Sequence, residues 1–234
     1  MQRRQFHRLS LGSVGLLIVA AQRQAWALSL SDLTDKDAAA GIRTALEKGA
    51  LAAVALLGKT DGFLGNPKVR IPLPGYLEDA AKLLSFAGQG KRVDELITGM
   101  NRAAEQAVPL GKDLLVGAVK SMSVTDAKNI LGGGDNSVTQ FFADKTRAPL
   151  SAEFMPTVKA SLSKLGVVDQ FNAIAAKLSG MGLLSKDKES LEAHVTDKTL
   201  SGLYFMIAEE EKKIRENPVA RTTDLLRKVF GASA

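Results

Sequence analysis

Histidine and cysteine set the first limit on the chemistry this sequence can carry. Beyond the first 27 residues one histidine remains, His194, and cysteine is absent throughout. Disulfides, thiolate metal sites, cysteine nucleophiles and a lipid anchor on an N-terminal cysteine are therefore excluded. A zinc site wants several nitrogen or sulfur ligands. A di-iron bundle wants Glu-x-x-His on each of two helices, whereas Glu192 stands only two residues before His194. A Ser–His–Asp triad would depend on His194 alone, and no Gly-x-Ser-x-Gly is present. His194 reads as a packed or surface residue, and no cofactor or metal is expected.

Carboxylates are the remaining source of chemistry. Glu209, Glu210 and Glu211 are consecutive, so on a helix they point about 100° apart and make a poor acid–base pair on their own. Glu209–Lys213 and Glu211–Arg215 are i,i+4 pairs in the favourable order, each worth about 0.2–0.5 kcal/mol, which suits a solvated face. Asp61 and Asp135-Asn136 sit in turn-like contexts without the alternating acids of a calcium loop. Gly132-Gly133-Gly134-Asp135 lacks the Gly-Lys-Ser/Thr ending and the preceding strand of a phosphate cradle, so it reads as a corner with Asp135 as a helix cap. One polar constellation survives. Glu210, Arg215 and Arg221 near the C-terminus are candidates to meet Asp61 and Arg70, as a polar site or an ion-pair network.

These residues need elements to position them, and the elements read as helices. Alanine and leucine are plentiful and aromatics make up 5% of the chain, which favours helix over sheet. The net charge is +6, but Arg3, Arg4, Arg8 and Arg23 precede Leu28 and no acid does, leaving +2 on the rest. The basic balance is thus no nucleic-acid surface, and no nucleic acid is expected as a partner. The expected fold class is all-α: a single irregular multi-helix bundle of about eight to ten helices around a long C-terminal helix, with one extended packed loop near residues 59–74.

In chain order, Ile42, Ala45, Leu46, Ala53 and Leu56 recur at helical spacing, with Gly49 on the same face as a close-packing point. Ser31 or Thr34 caps that helix and Gly58 ends it. Prolines hold Val69–Pro74 extended, and Phe63, Val69, Ile71 and Leu73 are its expected anchors. Helices follow over Gly75–Ala87 and Lys91–Ala107, then Leu110–Met122 after Pro109. Ser123 and Asp126 resemble a capping box for Val124–Leu131. Asn136–Lys145 is helical, and Pro149 and Pro156 predict a bent helix ending near Leu165. Val168–Leu178 and Glu189–His194 lead to the long helix Asp197–Asn217, apolar over Leu200–Ala208 and charged after it. Pro218 stops it, and a last short helix spans Asp224–Phe230.

Residues 1–27, MQRRQFHRLSLGSVGLLIVAAQRQAWA, have the layout of an export signal. A basic start precedes an apolar run too short to span a bilayer, and Ala25 and Ala27 supply the small residues of a cleavage site. Arg3, Arg4 and Phe6 match the core of a twin-arginine signal, with an ordinary Sec signal as the alternative. The expected organisation is a signal peptide over 1–27 and one all-helical domain over 28–234.

Several stretches together carry a family resemblance: LLGKTDGFLGNPKVRIPLP, MNRAAEQAVP, DAKNILGGGDNSVTQFF and MIAEEEKKIRENPVARTTDLLRKVFG. They resemble a family of exported bacterial proteins catalogued only as a domain of unknown function. The resemblance spans nearly all of residues 28–234, most specifically at the ending. It implies an all-helical exported domain and brings no reaction, cofactor or catalytic residues. The family carries varied signal peptides, so the twin-arginine element belongs to this sequence.

These readings point to a protein exported to the periplasm, handled by the twin-arginine translocase, and acting there as a non-enzymatic binding or interaction protein. An apolar or lipid-like ligand is the expected kind of occupant. The rivals are a carboxylate enzyme acting on envelope glycans and a peripheral membrane protein attached through the amphipathic Leu225–Phe230 segment.

Overall fold

The computed structural model describes residues 35–133, 137–180 and 190–216. The export signal with Arg3, Arg4, Phe6, Ala25 and Ala27, the Ser31 and Thr34 caps, Asp135, the 181–189 segment, Arg221 and the Asp224–Phe230 helix lie outside the described residues. Among the described residues there are eight α-helices and no strand: α1 (Asp35–Leu57), α2 (Gly75–Leu84), α3 (Gly90–Ala107), α4 (Lys112–Lys120), α5 (Val124–Gly132), α6 (Ser137–Lys164), α7 (Val167–Gly180) and α8 (Leu191–Glu216). The architecture is the expected all-α bundle.

Helix α8 is the pillar. It lies between α1 and α6, with α3 packed on α6, α4 and α5 against α1, and α7 on α3. Leu200, Leu203, Tyr204 and Ile207 are all 1% exposed or less, a three-to-four spacing that turns one stripe inward. Ile42, Ala45, Leu46, Ala50, Ala53 and Leu57 do the same for α1. At the crossing of these two helices a Cβ on Gly49 would stand 3.3 Å from the Ile207 carbonyl oxygen, so the glycine lets the backbones approach. Leu56, expected on the inner face, is exposed instead; Leu57 takes the buried position.

Three boundaries differ from the sequence expectation, each for a physical reason. Helix α8 begins at Leu191 rather than Asp197, because Ser190 starts it: Ala193 N–H donates to Ser190 Oγ at 3.1 Å and His194 N–H to Ser190 O at 2.9 Å. Helix α6 runs unbroken through Pro149 and Pro156. Those prolines free the carbonyls of Lys145 and Ala152, and all four residues are exposed, so water can take the freed acceptors. Pro109 does not end the α3 path either; a 3₁₀ turn over Val108–Gly111 carries the chain into α4.

Apart from Gln170 Oε1 on α7, the buried side-chain polar atoms among the described residues have partners. Thr146 Oγ1 donates to Phe142 O at 2.6 Å and accepts from the Tyr204 hydroxyl at 3.0 Å, tying α6 to α8. Burial pushes the Tyr204 phenol above its usual pKa. The charged half of α8 is not wholly solvated, for Glu211 and Ile214 are buried. A Cβ at Gly49 would come within 3.5 Å of Glu211 N and 3.7 Å of Glu210 Cβ, so α1 covers that side.

Candidate functional site

Residues 58–74 form the one long irregular connection among the described residues between α1 and α2. Gly58 N–H closes α1 onto Val54 O at 2.9 Å. A chain of turns follows, with Gly62 N–H bonded to Lys59 O, Gly65 N–H to Asp61 O, and Arg70 N–H to Asn66 O. Asp61 adopts φ +64°, the left-handed region that aspartate visits more readily than most residues. Gly62 is required beside it, since a Cβ there would lie 2.4 Å from Leu57 O. Phe63, Val69, Ile71 and Leu73 are buried and anchor the segment as expected.

Two side chains of α3 hold this backbone. Asn101 acts as a surrogate strand partner: its Oδ1 accepts from Ile71 N–H at 2.8 Å and its Nδ2 donates to Ile71 O at 3.0 Å and to Ile97 O at 2.8 Å. Glu105 Oε1 accepts from the N–H groups of Phe63 at 3.1 Å and Leu64 at 3.2 Å. Its Oε2 accepts from Arg102 Nη1 at 2.7 Å, and Arg102 Nη2 reaches Asp61 Oδ1 at 2.7 Å. These two carboxylates bind the proton more tightly on Arg102, raising its pKa.

Helix α8 grips the same segment from the other side. A Cβ on Gly202 would come 2.9 Å from Phe63 Cε1 and 3.2 Å from Val69 Cβ, so the glycine admits the loop. Asn66 Nδ2 points at Met206 Sδ at 3.8 Å. His194 Nε2 donates to Pro72 O at 3.1 Å; a carbonyl only accepts, so the ring carries its proton on that nitrogen. His194 is thus a packed histidine with a structural bond. Lys68 Nζ bonds Glu209 Oε2 at 2.6 Å and lies 5.7 Å from the centre of the Phe205 ring, and this contact draws the Glu209 pKa below its usual value.

The charged end of α8 therefore does meet the loop, but through Glu209 and Lys68. Glu210 is paired with Lys213 on its own helix, Asp61 with Arg102, and the expected Glu209–Lys213 pair gives way to these contacts. The structure brings Asp61, Arg70 and Glu210 into no common network. Arg70 makes no side-chain hydrogen bond or ion pair among the described residues. The side chain of Arg215, like Arg221, is outside the described residues.

Sequence reasoning missed Asn101, Arg102 and Glu105. Asn101 and Glu105 are four apart, beside the apolar stripe of α3, and a polar residue so placed calls for a buried partner. That signal was present, while the identity of the partner was not.

The clamped loop, α2 and α3 together wall an open groove of about 480 Å³. Leu73, Ala81, Val93 and Ile97 provide its apolar surface, Pro67 and Pro72 its edge, and Arg70, Glu78 and Lys82 its charges. A second groove of about 380 Å³ lies between α3 and α7, lined by Lys91, Asp94, Glu95, Thr98, Arg102 and Gln170 among others. Among the described residues no three of His, Asp and Glu converge to hold a metal ion. Nor is any described helix long and apolar enough to cross a membrane.

Comparison with curated proteins and with solved structures returns no match. A family model does match, over residues 32–231. It takes in the clamped loop, the α3 residues that hold it and the whole of α8, and its description is "Protein of unknown function (DUF4197)". The chain belongs to that family.

Proposed function

We propose that this is an exported, periplasmic, non-enzymatic binding protein whose groove beside residues 67–73 holds a lipid-like ligand. The observation that carries the reading is the construction of the groove. One wall is an extended segment whose backbone is fixed by Asn101 at Ile71. The other is the apolar line of Ala81, Val93 and Ile97. Its volume of about 480 Å³ falls in the usual range for small-molecule sites, roughly 300–1,000 Å³. A site fixed before the ligand arrives loses less entropy on binding. Export is supported by the signal layout of residues 1–27, which the family match leaves outside its bounds. The twin-arginine reading rests on Arg3 and Arg4.

A glycan-cleaving carboxylate pair gains no support from Asp61 and Glu210, each of which is committed to its own basic partner. The test is native mass spectrometry of the protein recovered from the periplasm, followed by titration with a fluorescent fatty-acid analogue. A co-purifying lipid-like mass and saturable binding are expected, both lost in Ala81→Trp, which fills the groove. Cytoplasmic retention of the full chain would overturn the export reading, and an empty protein that binds no analogue would overturn the ligand reading.

A further inference from the structure

The charges in the groove form an unused pair. Arg70 and Glu78 both line it, and both are exposed. They do not bridge to one another, and neither makes a side-chain hydrogen bond or ion pair with any other described residue. Lys82, the third charge there, already has an interaction of its own. Arg70 is also held in place. Its N–H is bonded to Asn66 O at 2.8 Å, and its neighbours Val69 and Ile71 are buried. Val69 belongs to the turn that starts at Asn66, and it and Ile71 are buried, whereas Arg70 between them is exposed and lines the groove. Glu78 stands on the first turn of α2, whose inner residue Leu77 is 1% exposed.

We infer that the groove, if it binds lipid as proposed above, selects a single-tailed lipid with a zwitterionic head: a phosphate met by Arg70 and an ammonium met by Glu78. The planar guanidinium matches a phosphate with two parallel N–H donors. A free carboxylate lining the same groove penalises a purely anionic head and rewards one that also carries a cation. The apolar line of Ala81, Val93 and Ile97 takes the tail.

The experiment compares three probes of equal chain length, lysophosphatidylethanolamine, lysophosphatidylglycerol and monoacylglycerol, by competition against the fluorescent fatty-acid analogue. The zwitterionic probe is expected to bind about tenfold more tightly than lysophosphatidylglycerol, as one additional charge-assisted contact implies, and more tightly still than monoacylglycerol, which lacks both charges. Arg70→Gln should erase the advantage of lysophosphatidylglycerol over monoacylglycerol and leave the preference for the ethanolamine head over the glycerol head. Glu78→Gln should erase only the preference for the ethanolamine head over the glycerol head. Both sites are exposed, so thermal melting of the variants should match the parent. Equal binding of all three probes, or a preference for lysophosphatidylglycerol, overturns the headgroup assignment and leaves the groove reading standing. Failure of every probe to bind overturns both.

Discussion

At the scale of single residues, Glu105 has the most to hold. Its two carboxylate oxygens accept from Phe63 N–H, Leu64 N–H and Arg102, and it is 4% exposed. Truncation leaves two loop N–H groups without an acceptor, and an unsatisfied buried group costs about 1–3 kcal/mol. Glu105→Ala is therefore expected to lower the unfolding free energy by about 3 kcal/mol, read from urea denaturation. Glu105→Gln keeps an amide oxygen for the loop and gives up the charge on Arg102, so about half that loss is expected. A Glu105→Ala protein as stable as the parent would show that the clamp adds nothing. The anchors Phe63, Val69, Ile71 and Leu73 were legible from the sequence because an apolar residue amid Gly and Pro has few other uses. Asn101 and Glu105 were not paired with them, because the bonds span 30 to 42 residues and no local spacing encodes a contact of that range.

At the scale of elements, the start of α5 carries a pH-dependent contribution. Ser123 Oγ accepts from Asp126 N–H at 3.0 Å, while Asp126 Oδ2 accepts from Ser123 N–H at 2.9 Å and from Ser123 Oγ at 2.8 Å. The N–H and hydroxyl of Ser123 hold the Asp126 carboxyl below its ordinary pKa. A carboxylate depressed on folding stabilises the fold fully above its unfolded pKa, about 3.9. That contribution is lost as pH falls through the folded value. Asp126→Ala is thus expected to destabilise at pH 7 and to differ less from the parent at pH 3. Ser123→Ala should cost about 1 kcal/mol at pH 7. A gap between parent and Asp126→Ala that is unchanged from pH 7 to pH 3 would refute the capping role. This box was readable from the sequence because its partners are three residues apart. The unbroken course of α6 was not, because whether Pro149 and Pro156 break a helix depends on which carbonyls face water, and that is decided by packing.

At the scale of the whole molecule, the bundle depends on the apolar half of α8, which contacts both α1 and α6. Leu203 is fully buried there, and the segment was recognisable because nine residues of nearly continuous apolar character admit few other placements. Loss of one large buried side chain removes about 1.5–3 kcal/mol, and a carboxylate left in its place has no partner and adds a further penalty of several kcal/mol. A domain holds about 5–15 kcal/mol in all, so the two effects together approach the total. Leu203→Asp is therefore expected to abolish the cooperative thermal transition. Ser201→Asp, two residues away on the same helix and exposed, should melt within a few degrees of the parent. Both are read by circular dichroism. Retention of a sharp transition in Leu203→Asp would mean that α8 is peripheral, and the loop, which α8 grips through Gly202 and Glu209, would then need another support.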